Sequence, residues 1–401
     1  MSKSISSAII IGGGISGPVT ATALRRSGLD VTVFEAYPGP AYGIGSNLAL
    51  APNGVAALDI IGAGDAVRAR AVPVSRSMMS VNGKRFELPG LRDVEPLRVI
   101  DRADLHETLH DTAVAAGVRF EYDKRLTEVE EHAGGVTAIF ADGSSATADV
   151  LIGADGIRST VRGLVDPKAP GPTYLRMLSF GAYTECPIDL EPETMTFAFG
   201  RRAYYLYWPM PDGRVSWGAN LPSEQYYSLT QARSVSAEQW LRTLRETYAG
   251  EAPGAQLAEA TTAGQLAVVG ALHIMPSVPH WYRGRMVLTG DAIHAPSNTS
   301  GQGASMAIES GIELARCLRD IDDPARAFAT YEALRRPRVE AVAARVAGMN
   351  KTKAAGPVAR MAMQVMMPIM FKRMDPEKLV GGEQRFRIDW EQPVRPVPVR
   401  A

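Results

Sequence analysis

An α/β fold, with a parallel sheet interrupted by a β-rich insertion and completed by helices, is what this 401-residue sequence predicts. Three observations predict it. Residues 5–36 read strand, glycine turn, helix, strand. Residues 170–282 change to short alternating strands such as "MTFAFG", "AYYLYWPM" and "RVSWGANL", with one helix near 236–249. "RMVLTGDAIHAP" then restores an apolar strand followed by an acidic turn, and long helices run from Pro324 to about residue 373.

Composition narrows the class. Apolar residues make up 46% and charged residues 21%, as in ordinary globular proteins. Lys+Arg and Asp+Glu are 43 each, so neither nucleic acid nor an anionic membrane surface is the expected partner. Cys186 and Cys317 are the only cysteines, too few and too distant for a metal site or a disulfide scaffold, and suited to a reducing cytoplasm. The apolar run Ala8–Ile11 is too short for a signal-peptide core, and no stretch reaches membrane-spanning length. The expectation is a cytoplasmic monomer or homodimer without stable membrane insertion.

In the first element, "SSAIII" is a buried-strand pattern and "SGPVTATALRRSG" carries small and apolar residues at helical spacing, ending at Gly28. Between them lies "GGGISG", and "DVTVFEA" follows as a second strand closed by Glu35 and Ala36. Gly12 permits the tight turn, Gly14 admits a pyrophosphate to the backbone, and Gly17 lets helix and strand pack closely. Ile15 and Ser16 open the helix, whose free amides face phosphates. Glu35, 23 residues after Gly12, accepts ribose hydroxyls and disfavours a 2′-phosphate. Strand context plus the acid predicts a Rossmann-like turn holding a dinucleotide, FAD or NAD. No second fingerprint of this kind appears; "GIGSNL" and "GAGDAV" lack the preceding strand and the distant acid.

"SNLALAPNGVAALDIIG" reads as a turn entering a helix, and "VSRSMMSVNGKRFEL" as a hairpin about Asn82-Gly83. "DRADLHETLHDTAVAAG" is a helix with Asp101 as its N-cap. "VTAIFADGSSATADVLIGADG" is a hairpin whose last strand is wholly apolar, as in a buried sheet. The first domain is therefore discontinuous. Residues 1–72, 97–168 and 283–355 belong to it, and 73–96 with 169–282 to the inserted one. Residues 356–401 form a C-terminal helical segment and a loose Pro-rich tail. The Met-rich stretch 359–374 reads as an amphipathic helix packed on the body, in preference to a pliable wall of the site or a surface for a partner.

Two later motifs decide the cofactor. "GADGIRSTVR" (153–162) and "TGDAIHAPSNTSGQGASMAIESGIELARCL" (289–318) each follow a buried strand. With the opening turn they closely resemble the FAD-dependent aromatic hydroxylases, the group A flavoprotein monooxygenases of the p-hydroxybenzoate hydroxylase type, from about residue 5 to about 345. The resemblance implies a Rossmann-like FAD-binding domain with an inserted β-rich substrate domain. It implies that Asp291, in Gly290-Asp291, bonds the ribityl or pyrophosphate region, and that Arg102 holds that same part of FAD. Leu126 would contact adenine through its backbone, and Gly45, Ser46 and Asn47 would pass the flavin ring. Asp155 and Arg158 would stabilise the fold around the cofactor, although Arg158 and Arg162 read equally well as ion-pair partners. Independently, apolar residues Met306, Ile308, Ile312 and Leu318 define a helix opening near Gly303, with Gly301, Gln302 and Ala304 around its start. Its free amides suit the negative charge of reduced flavin.

The resemblance further implies reduction by NAD(P)H without a second nucleotide domain, and oxygen delivery through a flavin C4a-hydroperoxide. Hydroxylation or epoxidation of an apolar aromatic or polycyclic molecule, in secondary metabolism, is the expected reaction. The inserted strands carry Phe197, Phe199, Tyr205, Tyr207 and Trp217, which line the substrate if they face the flavin and are core if they do not. Where the family has a loop proline this sequence has Asn298, an amide able to bond substrate; His294 is the other catalytic candidate, with a structural hydrogen bond the stronger reading. His106 and His110 lack a third ligand and read as surface histidines, so no metal is expected. A flavin dehydrogenase or reductase without oxygen insertion, or a flavin redox sensor, is the alternative.

Overall fold

The computed structural model describes residues 5–40, 46–297, 300–353, 362, 366–367, 370–371 and 373–397. Strand β1 (Ser7–Ile11) is almost wholly buried, as its apolar run requires of a central parallel strand. It leads into α1 (Ser16–Arg26) and returns as β2 (Asp30–Phe34), with Gly28 at a φ of +88° breaking the helix. β3 (Asn47–Leu50), α2 (Pro52–Ile60), α3 (Gly64–Arg70) and β4 (Val72–Val74) follow. The hairpin β5 (Arg76–Val81) to β6 (Lys84–Glu87) turns at Asn82 (φ +48°) and Gly83 (φ +81°), the pair that tolerates two left-handed residues.

β7 (Leu97–Asp101) enters α4 (Arg102–Ala115), and β8 (Arg119–Glu121), β9 (Leu126–His132), β10 (Gly135–Phe140), β11 (Ser145–Ala148) and β12 (Val150–Gly153) lead to α5 (Thr160–Val165). The next region holds β13 (Thr173–Thr184), β14 (Thr194–Phe199), β15 (Tyr204–Pro209) and β16 (Val215–Pro222). Helices α6 (Leu229–Ser234) and α7 (Ala237–Tyr248) open on capping boxes at Ser228/Gln231 and Ser236/Gln239, and α8 (Gly254–Ala260) precedes β17 (Ala267–Ile274). β18 (Tyr282–Arg283) and β19 (Met286–Leu288) then lead to α9 (Gly303–Asp320) and α10 (Pro324–Lys353).

A six-stranded sheet runs β18-β19-β12-β1-β2-β8, parallel throughout except at β18. β12 flanks β1 on one side and β2 on the other, so the carboxyl end of β1 is a topological switch point, where open α/β sheets take ligands. A seven-stranded sheet runs β17-β13-β16-β15-β14-β5-β6, antiparallel except for the β14–β5 pair. The hairpin 76–87 thus joins the strands after residue 173 across nearly a hundred residues of chain. One face of this sheet is covered by α7 and α8; the other meets the small sheet β3-β7-β4.

The expectation of a loose tail is corrected. Arginine side chains satisfy the carbonyls that its proline-rich backbone cannot pair in a ladder: Arg316 donates to Gln392 O (2.8 Å) and Arg319 to Trp390 O (2.7 Å). Arg338 donates to the carbonyls of Gly382 (2.9 Å) and Glu383 (2.8 Å), and Arg345 pairs with the Glu383 carboxylate (2.6 Å). Trp390 is 9% exposed, beneath the Arg319 guanidinium at 4.8 Å. Most of the Met-rich stretch lies outside the described residues; Met366 and Met370, which are described, are exposed. Among the described residues no helix is long and apolar enough to cross a membrane.

If the tail is anchored in this way, Trp390→Ala should lower stability by about 3 kcal/mol, read as a fall in Tm. An unchanged Tm would show that the segment is merely draped on α9.

Candidate functional site

The carboxyl end of β1 meets the start of α1 at backbone distance. Gly12 has a φ of +104°, and a Cβ there would lie 2.5 Å from Ala154 O; at Gly17 it would lie 2.0 Å from Gly12 O. Both positions therefore exclude any side chain. At Gly14 a Cβ would meet nothing within 4 Å, so this glycine borders open space. α1 opens at Ile15 with no side-chain cap and no acid in its first turn, and Ser16 Oγ is buried without a partner. Its first amides are uncompensated donors, the arrangement that takes an anion. Glu35 accepts from Gly13 N–H (2.7 Å) and Tyr37 N–H (3.0 Å), and each carboxylate oxygen keeps acceptor capacity. Ala36 beside it is half-buried. Leu126 is buried in the main core where Lys124 N–H bonds Glu35 O (2.8 Å).

Across the switch point stands the turn Gly290–Ala292. Gly290 has a φ of +60°, and a Cβ on it would come 2.7 Å from Ser16 Cβ, so this turn rests directly on the start of α1. Asp291 is exposed at its tip, yet protein surrounds it closely; that desolvation raises its carboxyl to about 6, against the opposing pull of the Arg102 charge. Arg102 begins α4 with its side chain exposed and its N–H on Ser46 O (3.2 Å).

For Arg162 the sequence left an ion-pair role as an even alternative. The residue is buried and donates instead to two carbonyls, Ala292 O (2.9 Å) and Ile157 O (2.9 Å), so it fastens one later motif to the other. Arg158 is exposed and bonds the Tyr226 hydroxyl (3.1 Å). Asp155 turns its carboxylate to the start of α5, accepting from Ser159 Oγ, Thr160 N–H (2.7 Å) and Val161 N–H (3.1 Å). Its side chain is thereby spent on capping, and what it presents to the glycine turn is backbone.

A third wall comes from β3, β7 and the start of α9. Asn47 donates to Ser216 Oγ (2.8 Å), while the Tyr183 hydroxyl bonds Asn47 Oδ1 and Asp101 Oδ1 (2.7 Å). Asp101 occupies the N-cap position expected of it without capping, because Tyr183 draws its carboxylate towards the seven-stranded sheet. Gly301 has a φ of +61°, and its nearest neighbour in the Cβ direction is Leu97 at 3.9 Å; Gly303 and half-buried Ala304 open α9, again with no side-chain cap and no acid. Gln302 is buried against Asn53, its Oε1 accepting from Asn53 Nδ2 (3.0 Å). Gly45 and Asn298 lie outside the described residues.

Strand register corrects the aromatic candidates. Tyr205, Tyr207 and Trp217 share a core with Trp240, Tyr248 and Leu257, on the face covered by α7 and α8, and Trp217 Nε1 donates to Thr261 Oγ1 (3.0 Å). They are core residues turned away from the crevice. The opposite face carries Met195, Phe197, Leu206 and Trp208, packed with Leu97 and Val99 of β7. Phe199 shares the parity of Phe197 and meets Tyr204 edge-on at 5.4 Å. Both faces are apolar because both are buried, so alternation carried no signal about which one looked towards Gly301.

The two histidines of α4 are corrected likewise. His106 is 5% exposed and bonds Gly13 O (2.7 Å), stitching α4 to the glycine turn; His110 is largely enclosed and bonds the Tyr122 hydroxyl (2.8 Å). Helical spacing placed His106 and His110 one turn apart but could not say that this face was the inner one. His294 is buried between Ser310 Oγ (2.9 Å) and the Trp281 ring, and burial lowers its pKa to about 3, so it is neutral. It is a structural residue.

A dinucleotide fits these walls: two uncapped helix starts, a glycine bordering open space, and one carboxylate at each end of the crevice. Residues 6–346 match the family described as FAD binding domain. The chain is 30% identical to 3-hydroxybenzoate 6-hydroxylase of Klebsiella oxytoca, over 82% of this chain and 84% of that protein. It is 35% identical to 3-amino-4-hydroxybenzoate 2-monooxygenase PtmB3 of Streptomyces platensis, over 83% and 85%. The crystal structure of Klebsiella pneumoniae HpxO complexed with FAD and uric acid superposes with a TM-score of 0.80 at 27% identity, over 95% of this chain and 96% of that one.

Because the folded chain favours protonated Asp291, the stability this group contributes is fully present below pH of about 4 and lost as pH rises through about 6. In the ligand-free protein, Asp291→Asn should flatten the fall in Tm across that window. Superimposable Tm–pH curves for the two proteins would show that the carboxyl is not raised.

Proposed function

The chain belongs to the family that shares this FAD-binding domain, the FAD-dependent aromatic-ring monooxygenases, and from that premise we propose that its substrate is an uncharged, mostly apolar aromatic or polycyclic molecule. The observation that carries the proposal is the sheet face bearing Met195, Phe197, Leu206 and Trp208, which meets β7 where Leu97 reaches the Gly301 loop. On β13–β16 that face carries no lysine or arginine; Arg214, just before β16, lies over the Tyr183 ring at 5.1 Å, but its charge is engaged by Asp212 at 2.7 Å and is not free to clamp a carboxylate. The polar side chains that its strands carry include Ser179, Ser216, Asn220 and the Tyr183 hydroxyl, the last bonded to the Asp101 carboxylate of β7 (2.7 Å). An apolar wall with a few neutral polar contacts favours ring systems over small acids.

FAD, when bound, supplies the redox chemistry and the activation of O2, with NAD(P)H as the proposed reductant. The chain's own part is holding and shielding. In this reading Gly12, Gly14 and Gly17 bring the backbone up to the pyrophosphate, and the Ile15 and Ser16 amides donate to it. Glu35 takes the ribose hydroxyls, Leu126 borders the adenine, and Asp291 and Arg102 hold the ribityl and phosphate region. Ser46, Asn47 and residues 301–304 lie along the ring; Asn47, its side chain engaged by Ser216 and Tyr183, contributes backbone. The uncapped start of α9 favours negative charge on the reduced ring. The seven-stranded sheet excludes water from the opposite side and orients the substrate.

The test is a screen of aromatic and polycyclic compounds for stimulated NADH or NADPH oxidation with a product heavier by one oxygen atom. Phe197→Ala should raise the KM of the best substrate about tenfold, a loss of about 1.4 kcal/mol, while leaving bound FAD in place. Coupled hydroxylation of a simple benzoate, with bulky apolar compounds inert, would overturn the assignment.

A further inference from the structure

Glu309 is a carboxylate with no exposed surface, in the middle of α9. Three side chains converge on it: Arg335 (2.8 Å) and Arg338 (2.8 Å) from α10, and Asn53 Nδ2 (2.7 Å) from the first turn of α2. The cluster holds one more cation than anion, and its charges keep Glu309 ionised, below the usual carboxylate range despite burial. Asn53 is itself 1% exposed, and the same Nδ2 also donates to Gln302 Oε1 (3.0 Å). Gln302 is the residue immediately before α9.

Two further contacts bolt the helix starts together. Ala51 N–H donates to Ser305 Oγ (3.0 Å), and a Cβ on Gly54 would fall 2.7 Å from Ser305 Cβ. β3, which ends at Leu50, is thereby held in fixed relation to the opening turn of α9. In the reading above, these are the two segments along the flavin ring, and the inference rests on that reading.

We propose that Asn53 is a positioning residue that sets the redox potential of the bound flavin, by anchoring Gln302 to the Glu309–Arg335–Arg338 cluster. Donors at a helix start stabilise developing negative charge only to the extent that they are already in place and cost no reorganisation when the charge arrives. Asn53 supplies that rigidity through Gln302, while the excess positive charge behind it reinforces the sign of the helix dipole. Packing alone would hold α2 on α9; the amide pair adds a fixed direction for the residue that leads into the first turn.

The experiment measures the flavin midpoint potential and the affinity for oxidised FAD in the holoprotein. The variants are Asn53→Ala, Gln302→Met, which keeps the volume and removes the amide, and the double variant. Each single change should weaken the preference for reduced over oxidised flavin about tenfold, a drop of about 30 mV for a two-electron couple. In Asn53→Ala oxidised FAD should bind nearly as before, and the double variant's potential should fall no further than either single one's, because both break the same contact. Unchanged potentials in folded, FAD-loaded single variants would overturn the inference, as would fully additive shifts in the double variant. A wild-type chain that binds no FAD would overturn the functional reading instead.

Discussion

Everything in the nucleotide half of the molecule depends on the absence of side chains where α1 begins. Gly12 abuts the carbonyl of Ala154, Gly17 abuts the carbonyl of Gly12, and Gly290 abuts Ser16. A single Cβ at any of these points would drive apart segments that are packed backbone on backbone. The end of β1, the end of β12 and the turn at Asp291 are mutually in contact because nothing separates them. That proximity leaves the first amides of α1 facing a crevice beside the Asp291 turn. Further along α1, the same economy recurs at Gly311 of α9, where a Cβ would fall 2.4 Å from Thr20 Oγ1.

Around that contact the protein invests in buried polar links in place of a purely apolar seam. His294 joins Ser310, Ser310 meets Arg335 Nε (3.3 Å), and Arg335 meets Glu309. Arg162 ties the Asp155 segment to the turn at Ala292, and His106 ties α4 to Gly13. Such groups are expensive to bury, and replacing them by apolar side chains of the same shape is often neutral or stabilising. Their return is direction: a carbonyl or amide held by a charged fork has far less angular freedom than one held by methyl groups.

The sequence disclosed the parts that rest on local chemistry. The glycine turn, Glu35, the Asn82-Gly83 hairpin and the helix opening at Gly303 are dictated by residues close together in the chain, and family and cofactor followed from three such motifs. It could not disclose what depends on the partner of a surface. Tyr205, Tyr207 and Trp217 alternate with Leu206, Trp208 and Ser216, and only the position of α7 and α8 says which set is covered. The enclosure of the α4 histidines, and the choice of carbonyl partners by Arg162, come from distant elements that local spacing does not reveal. The proline-rich tail looked loose because its partners, Arg316, Arg319 and Arg338, sit on helices whose own exposed faces gave no sign of a strap.

The strand order β19-β12-β1 has a consequence for biosynthesis. β1 is made first, but one neighbour, β12, lies about 140 residues later, and β19 about 135 residues beyond that. Parallel pairings across such separations form late, since the loop entropy must be met before any ladder bond rewards it. β1, β2 and β12 all precede the insertion, so it is the β19 edge of β12 that stays unpaired until residues 169–282 have been made. Until the turn at Gly290 and the start of α9 have emerged, the crevice lacks a wall. In the reading above, a dinucleotide meets a complete crevice only once the start of α9 has been made.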